Sequence, residues 1–259
     1  MIHSNINKFK FEIEKIHSDF FYEMGVDVLI ARLDKINNIV SGNKIFKLNN
    51  FIEDAIKNKK NTIVTKGGYY SNHLVATAFY TKQNNLNSVG IIRGEKPKLL
   101  SLTLKECIEH GMNLQFVSRE DYDNHFFLNS FINSSFENYE FIPEGGFESR
   151  GAEGASLIMD QINLLDPSHV ITAIGTATTL AGLIKNNGNN IEIIGIPVLK
   201  GLFDIENRIK YLLKSNSFVP PTIFHDYHFG GYAKFDNVLI QKMNEFYLLH
   251  KIPTDFVYT

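Results

Sequence analysis

The stretch NTIVTKGGYYSNHLVATAFYTKQNNLNSVGIIRG (residues 61–94) holds a short β-branched strand, a glycine turn, a helical segment opened by Ser71 and a second apolar strand, NSVGIIRG. A short strand ending in glycines, a segment that reads as a helix and a second apolar strand together make a strand–helix–strand unit. The pattern extends both ways. Upstream, KIFKLNNFIEDAIKNKK places Ile45, Leu48, Ile52 and Ile56 at helical spacing; downstream, PKLLSLTLKECIEHG reads as a helix closed by Gly111, and NLQFVS as a further strand. Around NYEFIPEGGFESRGAEG the glycines and Pro143 interrupt the periodicity before the helix GASLIMDQINLL. The strand HVITAIG, the helix TTLAGLIKNN and the strand IEIIGIPV then restore it. Alternating strands and helices specify an α/β class with mostly parallel sheets buried on both faces. The break predicts two open αβα lobes, the smaller over residues 55–145 and the larger from 1–54 and 146–259. A cleft between them would lie beyond the carboxyl ends of the strands. No internal repeat or low-complexity linker is present.

Composition narrows the function. With 259 residues, 44% of them hydrophobic and 21% charged, disordered and fibrous classes are excluded. The net charge of −2, from 26 basic and 28 acidic residues spread along the chain, leaves no electrostatic footprint for nucleic acid, so a small-molecule partner is expected. Cys107, the only cysteine, excludes an internal disulfide and a cysteine-based metal cluster and fits a reducing compartment, by default the cytoplasm. No apolar run approaches signal-peptide or membrane-spanning length, so no membrane partner is expected.

Three junctions carry the chemistry. In VTKGGYYSNHLVA, Ser71 and Asn72 open a helix, either as ordinary caps or as part of an anion site built from exposed N–H groups, a hydroxyl and an amide. A serine-hydrolase pairing of Ser71 with His73 is weaker, because residues two apart on a helix do not face each other and no G-x-S-x-G elbow is present. In AIGTATTLAGL, Gly175, Thr176, Ala177, Thr178 and Thr179 form either a Thr-rich cap or a phosphate cup. That cup has no Walker lysine and no neighbouring cation in sequence, which suggests a small phosphate whose reactive part lies elsewhere. In SGNKIFKL, Lys44 is either a solvated helix-start lysine or an amine whose pKa is lowered by positive dipoles and by Lys47, ready to add to a carbonyl. An amine, a Ser-Asn helix start and a phosphate cup together are what pyridoxal phosphate requires.

The segments SGNKIFKL, TKGGYYSNH, AIGTATTLAGL, FGGYAK and DFVYT, in this order, resemble the 1-aminocyclopropane-1-carboxylate deaminase and D-cysteine desulfhydrase family of fold type II pyridoxal-phosphate enzymes, related to the tryptophan synthase β chain. The resemblance runs from about Gly25 to the last residue. It implies that Lys44 is the Schiff-base lysine, that Asn43 fixes its loop, that Lys47 lies near the site and that residues 175–179 bind the phosphate of pyridoxal 5'-phosphate. It also implies that Ser71 meets the substrate, that Asn72 lies by the cofactor ring, that Tyr232 and Tyr258 look into the site, and that Thr259 faces the pyridine nitrogen. A threonine there resembles the desulfhydrases, where a hydroxyl sustains a weaker electron sink than a carboxylate, sufficient for a good leaving group such as thiolate. The expected reaction is therefore α,β-elimination from D-cysteine or a similar small amino acid by a homodimer. Cyclopropane ring opening, racemisation, or a non-catalytic cofactor-binding relative are the alternatives. Phe46, Asn49 and Asn50 depart from the family's pattern, and the family continues beyond the position of Thr259, so a shortened large lobe is expected.

Overall fold

The computed structural model describes residues 9–37, 42–188, 191–231 and 233–257. The chain opens with β1 (Glu12–Ile16), the short α1 (Asp19–Glu23) and β2 (Val28–Arg32), the two strands pairing antiparallel. Helix α2 (Lys44–Lys57) follows, then β3 (Thr62–Gly67), α3 (Asn72–Gln83), β4 (Asn87–Arg93), α4 (Leu102–Glu109), β5 (Met112–Val117), α5 (Arg119–Asp123), α6 (His125–Ser135) and β6 (Tyr139–Ile142). After a 3-10 turn over Glu144–Gly146 come α7 (Ser149–Ser156), α8 (Ile158–Ile162), β7 (His169–Ile174), α9 (Thr178–Lys185), β8 (Glu192–Pro197), α10 (Ile205–Leu213), β9 (Thr222–Ile223) and α11 (Asn237–His250).

Two parallel sheets result, one in the order β5-β4-β3-β6 and one in the order β7-β8-β9. The first meets the expectation of burial on both faces: the inner residues Ser88–Ile92 of β4 are all buried. The second does not, because β7 is its edge strand and leaves Ile171 exposed. The sequence also hid β6 inside the glycine-rich break and gave no clean period for α5 and α6.

Helix α2 is the spine of the core. Phe46, Leu48, Phe51 and Ile52 are fully buried, each worth roughly 1.5–3 kcal/mol of transfer free energy. Ile56, expected on that face, is 49% exposed because the helix emerges from the core in its last turn. Small residues let the neighbouring helices close on it. A Cβ on Gly154 of α7 would lie 2.0 Å from the carbonyl oxygen of Phe46, and one on Gly182 of α9 would lie 2.6 Å from that of Ala152. α7 therefore lies backbone to backbone between α2 and α9, which fixes the start of α2 relative to the start of α9.

Candidate active site

Lys44 is the first residue of α2 and Asn43 its N-cap, after a turn in which Gly42 has φ of +71°. Asparagine at this position usually accepts from the helix amides, but here its side chain makes no capping bond. Its Nδ2 donates instead to Oγ1 of Thr179 at 2.7 Å, and its Oδ1 accepts from Nζ of Lys44 at 2.8 Å. Lys44 is 8% exposed, and burial pushes its amine down to about 8 against the opposing pull of the Asp255 carboxylate. Lys47, one turn on and 4% exposed, is held well below the usual lysine value by burial and by the charge of Lys44. The helix-start lysines are buried amines and not surface cations.

The cup is built where β7 turns into α9. Ala177, the N-cap, sits at φ of +69°, a left-handed conformation that costs a non-glycine residue about 1 kcal/mol or more and that turns successive N–H groups toward one point. The hydroxyls of Thr176 and Thr178 are 2.8 Å apart. Gly145 abuts this loop: a Cβ there would meet Cγ2 of Thr176 at 2.7 Å, and its φ is +63°.

At the β3–α3 junction Ser71 is buried, occupies the N-cap and makes no capping bond with its side chain, so the plain-cap reading of this hydroxyl is corrected. Asn72 donates from Nδ2 to Oδ2 of Asp255 at 2.8 Å, while Oδ1 of Asp255 accepts from the amide of Val257 at 2.8 Å. This draws the chain's last described turn onto the helix start. His73 bonds through Nε2 to Thr65 at 2.9 Å and not to Ser71, which disposes of a serine–histidine pair.

Asn43, Lys44, Ser71, Asn72 and residues 175–179 all line one cavity of about 570 Å³. Lys47 lines it too, so the cup shares its cavity with a basic side chain from α2, about 130 positions away in sequence. Tyr232, Tyr258 and Thr259 lie outside the described residues.

The facing wall was not anticipated. It consists of Arg93, Tyr122, Asp123 and Glu144, at or just beyond the carboxyl ends of β4, β5 and β6. That position was the available signal. Arg93 pairs with Asp123 at 2.6 Å, and the Tyr122 hydroxyl donates to Oε2 of Glu144 at 2.9 Å. Burial and the Glu144 charge push the Tyr122 phenol up, so it remains a donor. Nζ of Lys66 stands 4.2 Å over the Tyr122 ring.

A buried amine, a strained cup of hydroxyls and amides, and a buried lysine whose side chain makes no hydrogen bond or ion pair among the described residues thus share one cavity. The set suits a ligand carrying both an electrophilic carbonyl and a phosphate. Among the described residues no cluster of histidine, cysteine and carboxylate side chains suits a metal ion, and no helix is long and apolar enough to cross a membrane.

No family model matches the chain. Relatives do. A Thermotoga maritima protein named "Putative 1-aminocyclopropane-1-carboxylate deaminase" is 32% identical over 91% of this chain and 81% of its own length. The Arabidopsis thaliana bifunctional D-cysteine desulfhydrase/1-aminocyclopropane-1-carboxylate deaminase is 32% identical over 61% of this chain and 44% of its own. The crystal structure of a 1-aminocyclopropane-1-carboxylate deaminase homologue superposes with a TM-score of 0.82 at 26% identity, over 96% of this chain and 81% of that one. A hydrogen sulfide-producing enzyme from Fusobacterium nucleatum shares the fold, with a TM-score of 0.67 at 13% identity over 99% of this chain and 88% of that one. The chain belongs to the 1-aminocyclopropane-1-carboxylate deaminase and D-cysteine desulfhydrase family, on the α/β fold of type II pyridoxal-phosphate enzymes.

Proposed function

We propose that this protein binds pyridoxal 5'-phosphate and catalyses α,β-elimination from D-cysteine or a similar small amino acid, giving pyruvate, ammonia and sulfide. The observation that carries the reading is the asparagine that ties the Lys44 amine to the cup through hydrogen bonds of 2.8 and 2.7 Å. Bound pyridoxal phosphate supplies an aldehyde that captures amines and a ring that stores the electron pair left on Cα when a proton departs.

The chain's residues supply the rest. Lys44 would hold the aldehyde and, when free, would take the Cα proton; an amine with its pKa near 8 reaches the basic form at modest cost near neutral pH. Asn43 orients Nζ during both tasks. The N–H groups and hydroxyls of residues 175–179 would take the phosphate, whose negative charge would in turn favour a proton on the Lys47 amine in the same cavity. Ser71 and the free amides at the start of α3 hold the substrate carboxylate. The thiolate leaves with the Cβ–S electron pair, and Tyr232 or Tyr258 supplies its proton. Asn72, anchored by Asp255, would hold the cofactor ring.

Opening of 1-aminocyclopropane-1-carboxylate is the second reading, supported by the name of the Thermotoga relative. We read residues 55–145 as the small lobe and the protein as a homodimer by its family resemblance, and its single cysteine fits a reducing compartment such as the cytoplasm. Adding pyridoxal phosphate and then D-cysteine to the purified protein, with absorbance, sulfide and pyruvate followed together, tests the proposal. A visible band that shifts as sulfide and pyruvate appear in equal amounts is expected. A band without sulfide, together with 2-oxobutanoate from the cyclopropane substrate, selects the second reading; no band with either substrate contradicts both.

A further inference from the structure

The Thr65 hydroxyl donates to the carbonyl oxygen of Ile142 at 2.8 Å and lies 2.9 Å from Nε2 of His73. A hydroxyl has one proton, so toward the imidazole it accepts, and Nε2 carries the hydrogen. Nδ1 is therefore a bare lone pair. It is buried and has no hydrogen-bond partner, in a residue only 3% exposed. An acceptor left in that state is costly, so it marks a place where a donor is wanted.

The matching donor is on the adjoining helix. Lys47 is equally buried, and its side chain makes no hydrogen bond or ion pair among the described residues. Lys44 is already held by Asn43. Both His73 and Lys47 line the cavity that contains residues 175–179. The charge of Lys47 bears on the His73 ring more strongly than that of Lys44 does, and with burial it pushes the imidazole down to about 3, so the ring stays a neutral acceptor beside the lysine.

We infer that His73 is the positioning residue for Lys47: Nδ1 accepts from the Lys47 amine, directly or through one water, and aims its charge at the phosphate cup. The inference rests on the reading of residues 175–179 as a phosphate site. Thr65 fixes the tautomer from behind, and Ile142 fixes Thr65.

Equilibrium dialysis with pyridoxal phosphate and with pyridoxal, which has no phosphate, separates positioning from general support. His73→Leu is expected to weaken pyridoxal phosphate about 10-fold while leaving pyridoxal within about two-fold. His73→Gln, which keeps an acceptor and a donor, is expected to recover most of the loss. In a Lys47→Met background His73→Leu should add nothing, since the group it aims is gone. Equal weakening of both ligands, an unchanged phosphate preference, or additive losses in the double variant would overturn the inference. A wild-type protein with no preference for the phosphorylated ligand would overturn the cup reading itself.

Discussion

Asn43 donates to Thr179 across 2.7 Å, joining the first turn of α2 to the first turn of α9. The same side chain accepts from Lys44, so the proposed reactive amine and the proposed anion cup share one anchor. Asn43→Ala removes both bonds at once. Hydrogen bonds to charged groups are worth about 1.5–3 kcal/mol, so kcat/KM should fall roughly 10- to 100-fold while the melting temperature shifts little. Steady-state kinetics beside a thermal melt check this.

Burial of Lys44 has a cost that pH reveals. Its amine titrates near 8 in the folded chain and at 10.5 when unfolded, so between these values the unfolded state binds more protons. The cofactor-free protein should therefore gain stability from this group as pH rises from 8 to 10.5, and Lys44→Met should abolish that gain. At pH 7 the same substitution should stabilise the cofactor-free chain by roughly 1–3 kcal/mol while eliminating turnover. Urea denaturation across this pH range reads both.

His73 predicts a second, acid window. Its ring titrates near 3 folded and 6.5 unfolded, so as pH falls from 6.5 to 3 the unfolded state takes up the proton first and the native state loses stability. His73→Leu should flatten the pH dependence over that interval. An unchanged slope in the variant would mean that the ring is not buried as neutral.

Gly154→Ala places a methyl 2.0 Å from the Phe46 carbonyl and should destabilise by about 3 kcal/mol or more, because two helix backbones would have to part. Gly68→Ala, with nothing within 4 Å, should stay within about 1 kcal/mol. Paired denaturation curves distinguish them.

On the facing wall, Tyr122→Phe removes the donor to Glu144 and frees a carboxylate beside the cavity. If this wall positions substrate, KM should rise about 2- to 10-fold with kcat nearly unchanged. A change confined to kcat would assign the tyrosine to the chemical step instead.

Alternation in residues 61–117 was readable because short apolar strands are separated from the helical segments by glycine turns and polar helix starts. β6 was not, since four strand residues stand directly before Pro143 and two glycines, where turn chemistry dominates the local pattern. Lys44, Ser71 and residues 175–179 stood out because glycines and hydroxyls mark strand-to-helix junctions. Lys47 beside the cup, Asp255 beneath Asn72 and the Tyr122–Glu144 bond are contacts between distant segments, set by how α7 draws α2 and α9 together and by how the strand ends converge. No local period encodes them.

The most direct test of the central claim is to load the protein with pyridoxal phosphate, reduce it with borohydride, digest it and locate the cofactor by mass spectrometry. The cofactor's mass should be found on the peptide containing Lys44, on that side chain alone, and should be lost in Lys44→Ala. Label on Lys47, or on another lysine with Lys44 unmodified, would contradict the assignment of the reactive amine on which the account depends.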